Sequence, residues 1–148
     1  MTYLVFSQEP NALPDAERLA GHAARFFGAK LERLEAGDRW LRVRLSSVRP
    51  SFDSALTIRV RDVTRADLSD AKEAEARGQA AGMSALAEKC SRVWEIGPAE
   101  GSASGPGEAA CIALSGICAS VALGPVLPAD HSTLFGVRGA MERLALLG

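Results

Sequence analysis

Aromatic side chains are scarce in this chain, at 5% of its 148 positions. A sheet that stacks single-stranded nucleic acid needs several of them, so the shortage argues against that use. An excess of charge of either sign is also missing. The 17 Lys and Arg stand against 18 Asp and Glu, for a formal charge of -1. This disfavours a dedicated polyanion binder and gives no electrostatic pull toward a membrane. Only two histidines occur, His22 and His131, and neither has a second histidine four residues on, as a zinc-binding helix requires. The three cysteines, Cys90, Cys111 and Cys118, have an odd count and no Cys-x-x-Cys spacing. They read as free thiols in a reducing cytoplasm, with Cys111 and Cys118 as small core residues on one helix face.

Long apolar runs are absent as well. The richest, Ala109 to Leu123, is interrupted by Ser115, Gly116 and Ser120. It is shorter than the roughly 18 residues of a membrane span. The opening MTYLVFSQEP has no basic region and an apolar run of only Tyr3 to Phe6, so no secretory leader is expected. Arginine far outnumbers lysine and alanine is abundant, the mark of a GC-rich bacterial genome. The expected location is therefore the bacterial cytoplasm.

Catalytic motifs are missing too. The Gly/Ser/Pro-rich stretch Gly97 to Gly107 lacks the Gly-Lys-Ser/Thr ending of a phosphate loop, and no Gly-x-Gly-x-x-Gly follows a strand. No Gly-x-Ser-x-Gly elbow occurs. Asp130-His131-Ser132 has the residue types of a hydrolytic triad, but consecutive residues cannot converge as a triad must. They read as a helix cap. No catalytic residue, metal ligand or cofactor is assigned.

What is present is a balanced composition, 47% hydrophobic and 24% charged, long enough to bury a core as one domain over residues 1–148. The clearest signal runs from Thr64 to Ile96 and reads as one long helix feeding a strand. Thr64 or Asp67 caps it, and Leu68, Ala71, Met83, Leu86 and Cys90 mark a buried face. Its middle is unusually small. Gly78 and Gly82 suggest that another backbone approaches closely there, either within the fold or at a self-association face.

Elsewhere Tyr3 to Ser7 reads as an interior strand. A helix follows Pro14, with Asp15 and Glu17 in its first turn and Gly28 as its C-terminal cap, unless it runs on through Leu31 and Leu34. Ala29 to Ser46 reads as a hairpin, Pro50 to Ser54 as a loop, and Ser54 to Val63 as a strand. Ser91 to Ile96 gives another strand. Glu108 to Leu123 is read as a buried helix rather than two core strands, and a last helix starts at Asp130. The expected architecture is a two-layer α+β sandwich. It has a mixed sheet of about five strands, with helices mainly on one face.

Alternation in the two central strands puts Leu41, Val43, Leu45, Leu56, Ile58 and Val60 inward. It puts Trp40, Arg42, Arg44, Arg59 and Arg61 together on the opposite face. Like charges across a ladder are destabilising, so acids or a partner must compensate them. Glu32, Glu35 and Glu95 are the candidate acids. Trp40, Arg42, Arg44, Arg59 and Arg61 form the candidate binding surface. The favoured reading is a non-enzymatic protein-binding module that engages a partner or a second copy of itself. The alternative is a binder of an anionic small molecule or nucleic acid on the same face. A third reading is an enzyme of undefined type with a site near Asp130 to Phe135.

Overall fold

The computed structural model describes residues 2–99 and 107–147. The elements run β1 (Tyr3–Ser7), α1 (Ala16–Phe27), β2 (Lys30–Ala36), β3 (Trp40–Val48), β4 (Ser51–Asp62), α2 (Arg65–Gly78) and α3 (Met83–Glu88). They continue with β5 (Arg92–Pro98), α4 (Glu108–Ala122), β6 (Val126–Leu127) and α5 (Val137–Leu147). This is the two-layer α+β sandwich that the patterning implies. The sheet has six strands in the order β2-β3-β4-β5-β1-β6, where about five were expected. The extra strand, β6, is only two residues long, too short to leave a periodic signal.

Every strand pairing is antiparallel, including β4 with β5 across the helices that connect them. The reason lies in the helix itself. Thr64 to Cys90 does not form one rod. The chain breaks at Gln79, which is left-handed (φ 55°), and at Gly82 (φ 89°). One unbroken helix would carry the chain to the far end of the sheet. Two shorter ones return it to the level it left, where Asp62 and Arg92 are register partners. Gly78 does meet a close neighbour. A Cβ there would collide with the Thr133 side chain and come within 2.8 Å of its Cα, whereas Gly82 faces open space. The close approach is thus made within the chain, by the segment that leads into α5.

Caps fix both ends of α1 and the start of α2. Asp15 accepts the amides of Glu17 and Arg18 at the start of α1, and Gly28 ends that helix in the left-handed region (φ 58°). The chain then enters β2 instead of extending the helix through Leu31. At the start of α2, Thr64 and Asp67 form a reciprocal capping box. Residues Glu108–Ala122 are the buried helix favoured by the sequence, and they carry Cys111 and Cys118 into the core.

Three further expectations need correction. Pro50 to Ser54 is not a loop: β3 and β4 meet in a tight turn, with a cis Arg49–Pro50 bond, and β4 begins at Ser51. The last helix begins at Val137, not Asp130, because Phe135 bridges to Val126 and keeps the chain extended until then. Of the expected Gly97–Gly107 loop, residues 100–106 lie outside the described residues, and Gly97 and Pro98 belong to β5.

The core divides by sheet face. Helices α1, α4 and α5 cover the inward face of the sheet, where Val5, Val43, Leu45, Leu56, Ile58 and Ile96 are fully buried. Helices α2 and α3 cover the other face at the β5–β1–β6 end, over Phe6, Val93 and Leu127. Among the described residues no helix covers the outward side of β2, β3 and most of β4.

Candidate functional site

That uncovered surface is where the five sequence candidates fall. In the register of β3 and β4, Trp40 pairs with Arg59, Arg42 with Thr57 and Arg44 with Ala55. Trp40, Arg42, Arg44, Arg59 and, one pair further along β4, Arg61 therefore share one face. Trp40 is held down by the hairpin, since its indole occupies the space where a side chain on Gly37 would sit. Trp40, Arg42, Thr57 and Arg59 line a hollow of about 130 Å³.

The arginines are met by acids, partly the expected ones. Arg42 approaches Glu35 at 3.4 Å, loosely for an ion pair. Its Nε is buried without a hydrogen-bond partner among the described residues. Arg59 lies opposite Glu95 in the ladder. Arg61 donates to Glu95 at 2.9 Å. Glu32 instead pairs with Lys30, and that bond holds its carboxyl below the usual range.

Two acids were not expected as arginine partners. Asp53 takes a two-pronged bond from Arg44, at 2.8 and 2.6 Å. The bond lowers the Asp53 carboxyl and raises the guanidinium. Asp53 stands opposite Ser46, diagonal to Arg44, so simple cross-strand pairing does not find it. Asp67 comes from α2 and receives both terminal nitrogens of Arg61, at 2.6 and 2.8 Å. Burial alone would raise the Asp67 carboxyl. The Arg61 bond and the two bonds with Thr64 outweigh it and hold the group below the usual carboxylate range.

The remaining candidates take structural roles. Asp130 accepts the Ser132 amide at 3.0 Å, and the His131 carbonyl accepts from Arg77 at 3.0 Å, so this cluster is a turn tied to α2. His22 Nδ1 lies 2.7 Å from Ser120 Oγ, which itself donates to the Ile117 carbonyl at 2.6 Å. This pair ties α1 to α4. All three cysteines are free and buried. Burial pushes the Cys90 and Cys111 thiols up to about 11 and Cys118 higher still, the opposite of an activated thiolate. Burial also pushes Tyr3 up to about 12. Tyr3 and the thiols are core groups, and none lines the hollow. Among the described residues no cluster of His, Cys, Asp and Glu could hold a metal ion. No helix among them is long and apolar enough to cross a membrane.

A second concavity lies on the inward side, at the β3–β4 turn. Phe26, Phe27, Phe52, Met141 and Leu144 line an apolar cleft of about 330 Å³. It left no sequence signal, because its lining comes from five separate elements, α1, β3, β4, α4 and α5.

No family model, no curated protein and no solved structure matches this chain. The geometry therefore carries the functional reading alone.

Proposed function

We propose that this chain is a non-enzymatic binding module that docks an acidic segment of a protein partner on the outward face of β2–β3–β4. The observation that supports this is the hollow between Trp40, Arg42, Thr57 and Arg59, on a sheet surface that no helix among the described residues covers. An aromatic beside guanidinium groups is the composition of interface anchor points. A partner carboxylate entering the hollow would exchange with Glu35 for Arg42. That exchange costs little, because the existing pair is loose and Glu35 is more than half exposed. Docking uses the face and not the edge of the sheet. Lys30, Glu32, Arg33 and Glu35 put charge along the terminal strand β2, and its register shifts between Arg33 and Glu35, features that discourage edge pairing.

The test is an NMR titration with a short capped glutamate–serine peptide. Shifts should concentrate on residues 40–44 and 55–61 and weaken with salt. Glu35→Gln should tighten binding by releasing Arg42, and Arg42→Gln or Trp40→Ala should weaken it. Inorganic phosphate or oligouridylate binding more tightly than the peptide would replace the reading with an anion or nucleic-acid site. Growth of sedimenting mass with concentration, abolished by Trp40→Ala, would replace it with self-association. An unperturbed face under every probe would end it.

A further inference from the structure

The apolar cleft at the β3–β4 turn is built by the fold and is independent of the outward face. Helix α1 stops at Phe27 before it reaches the turn, and Ser47 and Phe52 face each other across the ladder at its floor. Between α4 and α5 the walls are Ala113 and Ala145, which leave the space open. The Phe27 ring is drawn in over Gly116, where an added Cβ would meet its Cζ at 2.6 Å, so the aromatic wall is fixed by close packing on α4. The volume of about 330 Å³ sits at the small end of the roughly 300–1,000 Å³ typical of small-molecule sites.

Among the described residues the charge lining the cleft has one sign. Arg49 lines it, no carboxylate does, and the Arg25 guanidinium lies 5.3 Å from the ring centroid of Phe26 on the same wall. Phe26 and Met141 stay 41% and 37% exposed, so apolar surface continues from the interior to the mouth. An occupant must therefore offer an apolar body and a negative head. We propose that this cleft is a binding site for a small amphiphilic carboxylate, an acyl chain or compact hydrocarbon body. Its carboxylate would face Arg49, and its body would lie between Phe26, Phe27, Phe52 and Met141.

Octanoate is a suitable probe for calorimetric titration of the full chain, with 1-octanol and octyltrimethylammonium as head-group controls. Octanoate should bind saturably at one site and more tightly than octanol by about three- to tenfold, the range of a partly exposed charge-assisted contact. Octyltrimethylammonium should bind most weakly. Arg49→Gln should erase the preference for octanoate over octanol while keeping octanol affinity. Ala145→Trp, at an exposed position on the rim, should fill the mouth and abolish binding of both. Should Ala145→Trp fail to fold, the loss of preference in Arg49→Gln decides alone. Equal affinity for octanoate and octanol in the native chain would overturn the proposal, as would no saturable binding. A dimer whose formation is lost in Ala145→Trp and resists octanoate would also overturn it, by assigning the cleft to a second copy.

Discussion

At the β5–β1–β6 end both faces of the sheet are roofed, and the outward positions beneath α2 and α3 are apolar: Leu4, Phe6, Val93 and Leu127 pack with Ala71, Ala74 and Ala87, while Glu95 lies at the seam, paired with Arg61. At the β2–β3–β4 end the inward side is equally dry, yet the outward side carries Trp40, Arg42, Arg44, Asp53 and Arg59. The same backbone ladder runs through both ends. What differs is whether the intervening chain folds back as helix over the strand, and the side-chain chemistry of alternate residues tracks that difference position by position. A covered face gains from burial, while an uncovered face keeps its charges solvated and available.

The largest expected effect breaks the covered end. Phe6 is fully buried, and Phe6→Ala should cost about 3–5 kcal/mol in urea unfolding, from lost transfer energy and the cavity left behind. Trp40→Ala removes a larger side chain from the uncovered end, where the ring is only partly buried. It should cost about 1–2 kcal/mol. Equal losses would mean that the outward face of β2–β3–β4 is itself a packed surface.

The seam between the two ends gives the intermediate case. Asp67 has a side chain only 8% exposed, bound to Arg61 and to the Thr64 cap. Asp67→Asn should cost about 1.5–3 kcal/mol near neutrality, the range for hydrogen bonds to charged groups. The native carboxyl sits below its unfolded value of about 3.9. Its contribution is therefore complete above that value and disappears as the pH falls through the native one. The stability gap between native protein and Asp67→Asn should narrow on acidification. A gap that stays constant with pH would show that the carboxylate charge is not what Arg61 holds.

Much of this arrangement was legible in the sequence, because period-two alternation is a local property. Leu41, Val43 and Leu45 against Trp40, Arg42 and Arg44 fix the two faces of β3 without any knowledge of its neighbours. The caps were legible too, Thr64 as one of two candidates with Asp67, and Gly28 against a helix running on through Leu34. The break in the long helix was harder to read. Gln79 carries a left-handed conformation that its side chain does not advertise, and the need to bring Arg92 back beside Asp62 is a property of topology. Asp53 and Asp67 were missed as partners for the same kind of reason. One is diagonal to its arginine and the other comes from a different element. The cleft at Phe52 depends on small residues, Ala113 and Ala145, whose importance lies in what they leave empty.

The smallest expected effect on stability is also the sharpest test of the uncovered end. Arg44 and Asp53 are each about half exposed, so their bond exchanges easily with water and contributes little to folding. Arg59 is likewise exposed. The double change Arg44→Gln with Arg59→Gln should leave the melting temperature unchanged within measurement error. Under the proposed docking role the same double change should still weaken binding of the glutamate–serine peptide, because a guanidinium desolvated by a partner costs far more to lose than one facing solvent. A fall in melting temperature as large as that of Asp67→Asn would make these arginines part of the fold. Unchanged melting together with unchanged peptide binding and sedimentation would reduce them to solvated surface. The docking role would then rest on Trp40 and Arg42 alone.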